Sequence, residues 1–125
     1  CIDNNIEVEC LPGPTALIPA LAVSGLPSER FVFEGFLPVK KGRKKRLEEL
    51  SNEKRTMIFY ESPYKLYKTL QDFSNSFGPD REISISKELT KIFESTTRGR
   101  IKDLMPEYEN KKLKGEFVIV VKGLK

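Results

Sequence analysis

The segment that most constrains the fold is TMIFYE, Thr56–Glu61, because a strong helix pattern follows it directly. Its central residues are all apolar, which predicts a strand buried on both faces of a sheet. The next segment, SPYKLYKTLQDFSNSFGP, begins with Ser62 as a capping residue and Pro63 in the first turn, and it ends at a Gly-Pro pair. The apolar stripe of this helix is predicted to consist of Leu66, Leu70, Phe73 and Phe77. A doubly buried strand joined to an amphipathic helix requires a sheet with further layers packed against it.

Further strands and helices are predicted from local patterns along the chain. The predicted strands are Ile6–Cys10, Phe31–Phe36 with a bulge at Gly35, Arg81–Ser86, Ile92–Thr97 paired with the strand before it, and Glu116–Val121. The predicted helices are Thr15–Ser24, Gly42–Asn52 resting on Leu47 and Leu50, and a segment from Ile101 to Tyr108 that starts or bends at Pro106. Strands and helices alternate without repeats, so we expect an α/β fold, a layered mixed β-sheet of about five strands flanked by helices.

The length of 125 residues fits a single domain with its own core. The chain begins at Cys1 without an initiator methionine, and we expect it to be a piece of a longer protein. It has no run of about 20 apolar residues that would predict a membrane span. It also has no basic start followed by an apolar stretch, the pattern of a signal peptide.

The two cysteines, Cys1 and Cys10, lie close together in sequence. A disulfide between them would close a small loop and could not hold the fold together, so we expect a reducing cytoplasm. With no histidine and no second cysteine cluster, no zinc or other metal site is predicted.

A basic run, KKGRKKR, interrupts a chain that is otherwise net negative. Its six cations are Lys40, Lys41, Arg43, Lys44, Lys45 and Arg46. Such a cluster can neutralise RNA phosphates, but it is also typical of a solvated helix face. The run contains no interleaved aromatic residues that would stack on bases, and it does not distinguish a nucleic acid from another polyanion.

Three sharp corners are candidate ligand sites. The PGPT corner, Pro12–Thr15, is either a rigid turn or a place where helix amides face a ligand. Glu61 ends a buried strand, where ligands of open α/β sheets gather; it could hold a ribose hydroxyl, act as a base, or stabilise the next helix. KELTK, Lys87–Lys91, follows another strand and offers Glu88, Thr90 and two lysines at a turn, a pattern that by itself favours a solvated connection.

Taken together, these segments resemble the C-terminal half of the tetrapyrrole methylase superfamily. The resemblance covers nearly the whole chain and is carried by VECLPGPTAL, FEGFLP with the basic run, FYESP, KELTK and KGEFVIVVKG. Within that superfamily, FEGFLP, FYESP and KELTK are similar to the branch that methylates the 2'-hydroxyl of a cytidine in 16S ribosomal RNA.

The resemblance implies a two-domain, S-adenosylmethionine-dependent homodimer that acts on the 16S rRNA of the small ribosomal subunit. It implies that residues 1–125 form the C-terminal domain, that the N-terminal domain is missing, and that the piece alone is inactive. The cofactor-binding positions that it implies are Glu61, Leu89 and Thr90, with Pro14, Thr15 and Ala16 as weaker candidates. The base that would take the hydroxyl proton stays open between Glu61, Glu88 and the missing half.

Two alternatives remain at this point. One is a methylase of tetrapyrrole precursors, whose substrates are polycarboxylates and also suit a basic patch. The other is a non-catalytic, basic RNA-binding module.

Overall fold

The computed structural model describes residues 24–27, 29–88, 93–109 and 115–124. Within them, the strands are β1 Phe31–Gly35, β2 Thr56–Glu61, β3 Glu82–Glu88, β4 Phe93–Arg100 and β5 Glu116–Val121. The helices are α1 Arg43–Leu50, α2 Leu66–Phe77 and α3 Ile101–Leu104, which continues into a 3-10 helix, Met105–Tyr108. The predicted strand Ile6–Cys10 and nearly all of the predicted helix Thr15–Ser24 lie outside the described residues.

The five strands form one mixed sheet in the order β1-β2-β5-β3-β4, which confirms the predicted fold class. β1 and β2 are parallel, whereas β5 is antiparallel to both of its neighbours, β2 and β3. It follows that β1, β2 and β3 all point the same way. Their carboxyl ends therefore lie along one edge of the sheet, which we call the carboxyl edge.

The central strands β2 and β5 are buried on both faces, as predicted for TMIFYE. One face packs against the helices, and its core includes Met57 and Phe59 of β2 together with Leu70 and Phe73 of α2. On the other face Ile58 forms a second cluster with Val118 and Val120 of β5. This double burial explains why β2 and β5 carry apolar residues without polar alternation.

Helix α2 confirms the predicted apolar stripe, but it begins later than predicted. The N–H of Lys65 donates to the carbonyl of Ser62 at 3.2 Å, closing a separate turn. Lys65 has φ −112° and ψ 0°, outside the helical region, so the helix begins at Leu66 with no side-chain cap. The expectation that Ser62 caps the helix was therefore wrong. Its predicted end is correct, because Gly78 is the C-cap residue.

Two local irregularities were predicted correctly. The register between β1 and β2 slips between Phe33 and Gly35, and Gly35 has φ 67°, as a bulge at that glycine requires. The helix predicted to start or bend at Pro106 changes there from α3 to the 3-10 segment.

Candidate functional site

The carboxyl edge brings the ends of three strands together. Glu61 of β2 and Lys87 of β3 both pair with Phe117 of β5, one from each side. Two strand spacings separate them, about 10 Å. Gly35, the last residue of β1, lies opposite Phe59, so β1 ends toward the same edge. The connections after β1, β2 and β3 thus leave the sheet from one place.

Two of the three candidate corners begin at this edge of the sheet. The bend after Glu61 and the end of the strand that leads into KELTK lie at the same edge. The remaining candidates, Pro14, Thr15, Ala16, Leu89 and Thr90, lie outside the described residues. Their contacts with a cofactor stay a prediction.

The carboxylate of Glu61 is held within this domain. Its side chain is buried, with the residue 6% exposed. One oxygen accepts a hydrogen bond from the backbone N–H of Ser62 at 2.8 Å, and the other accepts from the hydroxyl of Thr69 at 2.5 Å. These contacts join the end of β2 to α2. This structural role is close to one of the three interpretations of Glu61, stabilisation of the helix that follows.

Arg43 continues this network toward the basic run. Its Nη2 donates to the Thr69 hydroxyl at 3.0 Å, and its Nε lies 2.9 Å from Asp72 Oδ2. Its Nη1 donates to the carbonyl of Pro38 at 3.0 Å. The Arg43 side chain is 14% exposed, so its charge serves to fix α1 and the preceding loop on α2.

Arg46 also forms ion pairs with carboxylates of this domain. Its guanidinium donates to both carboxylate oxygens of Glu34, at 3.0 and 2.7 Å, and to Glu49 at 3.0 Å. The hydrogen bonds to Glu34 are the main reason why the pKa of Arg46 lies above its usual value. A bidentate pair of this kind orients both planar groups, so it clamps α1 to β1.

The six cations of the basic run therefore divide into two groups. Arg43 and Arg46 have partners inside the domain, whereas the four lysines are exposed. We call those four, Lys40, Lys41, Lys44 and Lys45, the lysine patch. Phosphate binding by all six cations remains a prediction. In addition, Arg43 and Arg46 hold α1 in place, and the Arg46 side chain is still 42% exposed.

Sequence reasoning missed a groove between α1 and α2. It has a volume of about 370 Å³ and is lined by Lys40, Arg43, Lys44, Leu47, Lys68, Asp72, Asn75 and Ser76. Lys68 extends the positive surface onto α2 and pairs with Asp72 at 3.1 Å. The available signal was the i,i+4 spacing of Lys68 and Asp72 on the polar face of the predicted helix.

Sequence reasoning also missed an aromatic cluster at the carboxyl edge. The ring centroids of Phe33 and Phe36 lie 5.1 and 5.7 Å from that of Tyr60. Both phenylalanines are substantially exposed. The basic run itself lacks aromatic residues, but Phe33 and Phe36 precede it in the chain and Tyr60 packs against both of them.

The described ranges contain neither a candidate metal site nor a candidate membrane-spanning helix. There, no group of three or more His, Cys, Asp and Glu side chains is placed to hold a metal ion. No helix in the same ranges combines the length and apolarity needed to cross a bilayer.

Comparison with known proteins gives consistent results. The family model for Tetrapyrrole (Corrin/Porphyrin) Methylases matches residues 1–105. Three bacterial proteins named "Ribosomal RNA small subunit methyltransferase I" are similar over nearly the whole chain. That of Thermotoga maritima is 43% identical over 98% of this chain and 55% of its own length. Those of Xylella fastidiosa and Vibrio cholerae are 49% and 46% identical, over 94% and 98% of this chain and 44% of their own lengths. The chain thus spans about half the length of these relatives.

Solved structures show the same fold at lower identity. The cobalt precorrin-4 methyltransferase CbiF has a TM-score of 0.65 and 19% identity, covering 97% of this chain and 54% of that one. The methyltransferase CobJ has a TM-score of 0.61 and 22% identity, covering 87% and 48%.

Proposed function

Because the chain belongs to the tetrapyrrole methylase family, we propose that it is the C-terminal domain of an S-adenosylmethionine-dependent RNA methyltransferase. Its substrate would be the ribose 2'-hydroxyl of a cytidine in the 16S rRNA of the small ribosomal subunit. The observation that carries the proposal is the 43–49% identity, over nearly the whole chain, to proteins named as small-subunit rRNA methyltransferases. We further propose that the working protein is a cytoplasmic homodimer and that this half alone is inactive.

The residues of the carboxyl edge are compatible with a cofactor such as S-adenosylmethionine. The end of β2 offers backbone groups and the half-buried Ser62, while the Glu61 carboxylate already accepts two hydrogen bonds. The backbone groups and the Ser62 hydroxyl are neutral, and neutral hydrogen-bonding groups suit the adenine and ribose parts of the cofactor. When bound, the cofactor supplies a methyl group from its sulfonium. We propose that the backbone at Glu61 holds it, together with Leu89 and Thr90 and the corner at Pro14, Thr15 and Ala16.

The chain's own contribution to methyl transfer would be positioning. Most of the catalysis of an in-line displacement comes from aligning nucleophile and methyl donor. The lysine patch would hold RNA phosphates, and Arg43 and Arg46 would keep α1 fixed relative to the carboxyl edge. Because the Glu61 carboxylate is buried and occupied, we assign removal of the hydroxyl proton to Glu88 or to the other half of the enzyme.

Methyl transfer by the full-length protein tests this proposal. The protein is incubated with methyl-labelled S-adenosylmethionine and small subunits that lack the modification, and the digested RNA is analysed by mass spectrometry. We expect labelled 2'-O-methylcytidine. Label in a tetrapyrrole precursor and none in the RNA would instead identify a tetrapyrrole methylase. Tight RNA binding without methyl transfer would identify a binding module.

A further inference from the structure

The bulge in β1 places two aromatic rings on the same side of the sheet. In a regular strand Phe33 and Phe36, three residues apart, would point to opposite faces. The extra residue at the bulge makes Gly35, and not Glu34, the partner of Phe59. Both rings consequently contact Tyr60 edge-on, each at an interplanar angle of 69°. Bulges that re-aim a side chain are common beside functional sites.

The resulting cluster, Phe33, Phe36 and Tyr60, leaves a large apolar area in water. Phe36 is 62% exposed and Phe33 is 46% exposed. The edge contact with Tyr60 covers only part of the Phe36 ring, so most of the Phe36 surface stays accessible to solvent. Leaving such rings in contact with water forfeits the stabilisation that burial would give, about 25 cal/mol for each Å² of apolar surface.

The cluster is held in a fixed position relative to the lysine patch. Lys41 follows Phe36 by five positions in the chain, which limits the distance between their Cα atoms to about 18 Å. The Pro38 carbonyl accepts from Arg43, and the N–H of Arg43 donates to the Lys40 carbonyl at 3.2 Å, so this connection is braced. On the other side of β1, Glu34 is bound by Arg46 of α1.

We propose that Phe36, supported by Phe33 and Tyr60, is a stacking platform for a nucleobase of the RNA substrate, with Lys40 and Lys41 binding phosphates next to it. The inference rests on the proposed function and adds a base contact to it. An exposed aromatic beside a row of cations is the combination by which single-stranded RNA is bound, because every base has a π face and every linkage a charge. The positive charge of Lys40 and Lys41, which follow Phe36 by four and five positions, favours RNA over a protein partner as the occupant of the cluster.

Substitution of Phe36 by Trp and by Leu tests the platform in the full-length protein. Phe36→Trp keeps a stacking surface, whereas Phe36→Leu keeps an apolar side chain without a π face. We expect the Trp variant to bind a cytidine hexaribonucleotide, and to methylate small subunits, with Kd and KM within about twofold of the parent. We expect the Leu variant to raise both by about fivefold or more, since stacking contributes about 1–3 kcal/mol per base.

Fluorescence gives a readout that a merely structural role would not change. This chain has no tryptophan, so the emission that Phe36→Trp adds over the parent reports on position 36. We expect the cytidine hexamer to quench it and an abasic chain of the same length to leave it unchanged. The abasic chain should also bind the Trp and Leu variants equally.

Specific results would overturn the platform. Unchanged Trp emission, or a Leu variant with parental Kd and KM, would exclude stacking. A Leu variant that alters the oligomeric state by sedimentation, with unchanged KM for the subunits, would assign the cluster to a protein interface. Methylation of rRNA by the parent in the same preparation separates these failures from failure of the proposed function, in which the parent itself would not modify RNA.

Discussion

At the scale of single residues, the basic run shows that formal charge differs from charge available to a ligand. Lys44 is exposed, whereas Arg43, one residue away, makes hydrogen bonds to Pro38, Thr69 and Asp72. The sequence could not predict this division, because Thr69 and Asp72 lie on a different helix and are distant along the chain. Composition identified the cluster, and tertiary packing decided which members face solvent.

Arg43→Met should destabilise the full-length protein by about 2–3 kcal/mol. The substitution removes the partly buried cation that binds Asp72 Oδ2 and donates to the Thr69 hydroxyl, and it leaves Asp72 paired with the exposed Lys68 alone. Lys44→Met is the matched control, because Lys44 is exposed and its loss should change the free energy of unfolding by less than about 0.5 kcal/mol. Urea denaturation measures both, and equal losses would contradict the structural role of Arg43.

Thr69→Val should cost about 1–3 kcal/mol, because it leaves one oxygen of the buried Glu61 carboxylate without its donor. Thr69→Ser keeps a hydroxyl at the same place and should retain most of the stability. Comparison of the two by chemical denaturation isolates the hydrogen bond from the packing. A Val variant as stable as the Ser variant would show that the Thr69 hydroxyl does not stabilise the end of β2.

At the scale of elements, local patterns were sufficient where local forces dominate. The bounds of β2 were predicted correctly from a short apolar run between polar residues. The start of α2 was not, because Ser62 and Pro63 are typical of a helix start and yet form a separate turn here. The strand order was also beyond sequence reasoning, since it depends on pairing between distant segments. The aromatic cluster was not predicted, because the bulge changes which side chains of β1 lie on the same face of the sheet.

Gly35→Ala should lower stability by about 1 kcal/mol and raise KM for the small subunits. Alanine is strained at φ 67°, and relief of that strain would remove the bulge that directs Phe36. Gly78→Ala is the control: Gly78 has φ 98° with no atom within 4 Å of an added Cβ, and it lies at the opposite end of α2 from the carboxyl edge. We expect a similar loss of stability from Gly78→Ala with no change in KM. Equal KM values for the two variants would show that the bulge does not contribute to RNA binding.

At the scale of the whole molecule, the distribution of charge and the direction of the strands coincide. The lysine patch follows β1, and the predicted cofactor contact at Glu61 ends β2, so both lie toward the carboxyl edge. A positive surface beside the edge that is proposed to hold the cofactor would attract a polyanion to that edge. This agreement between charge and topology could not be seen until the direction of each strand was known.

Replacing Lys40 and Lys44 by Ser should weaken binding of the small subunits and reduce the salt dependence of that binding. Each lost phosphate contact lowers the slope of log K against log salt by about 0.7–0.9. Affinity for S-adenosylmethionine, measured by calorimetry on the full-length protein, should stay unchanged. Lys54→Ser with Lys102→Ser removes the same charge from exposed positions away from the carboxyl edge and serves as control. Equal effects of the two pairs would mean that general charge, not the lysine patch, drives binding.

The central position of β5 has a consequence for how the protein is made. β5 is the last of the five strands along the chain, yet it lies between β2 and β3 and joins two pairs that otherwise do not touch in the sheet. During translation the β1–β2 and β3–β4 pairs therefore cannot join into one sheet until Val121 has emerged from the ribosome. Until then the edges of β2 and β3 that pair with β5 stay uncovered. Nascent chains stalled before that residue should bind chaperones and be cleaved readily by proteases, whereas chains released after it should not.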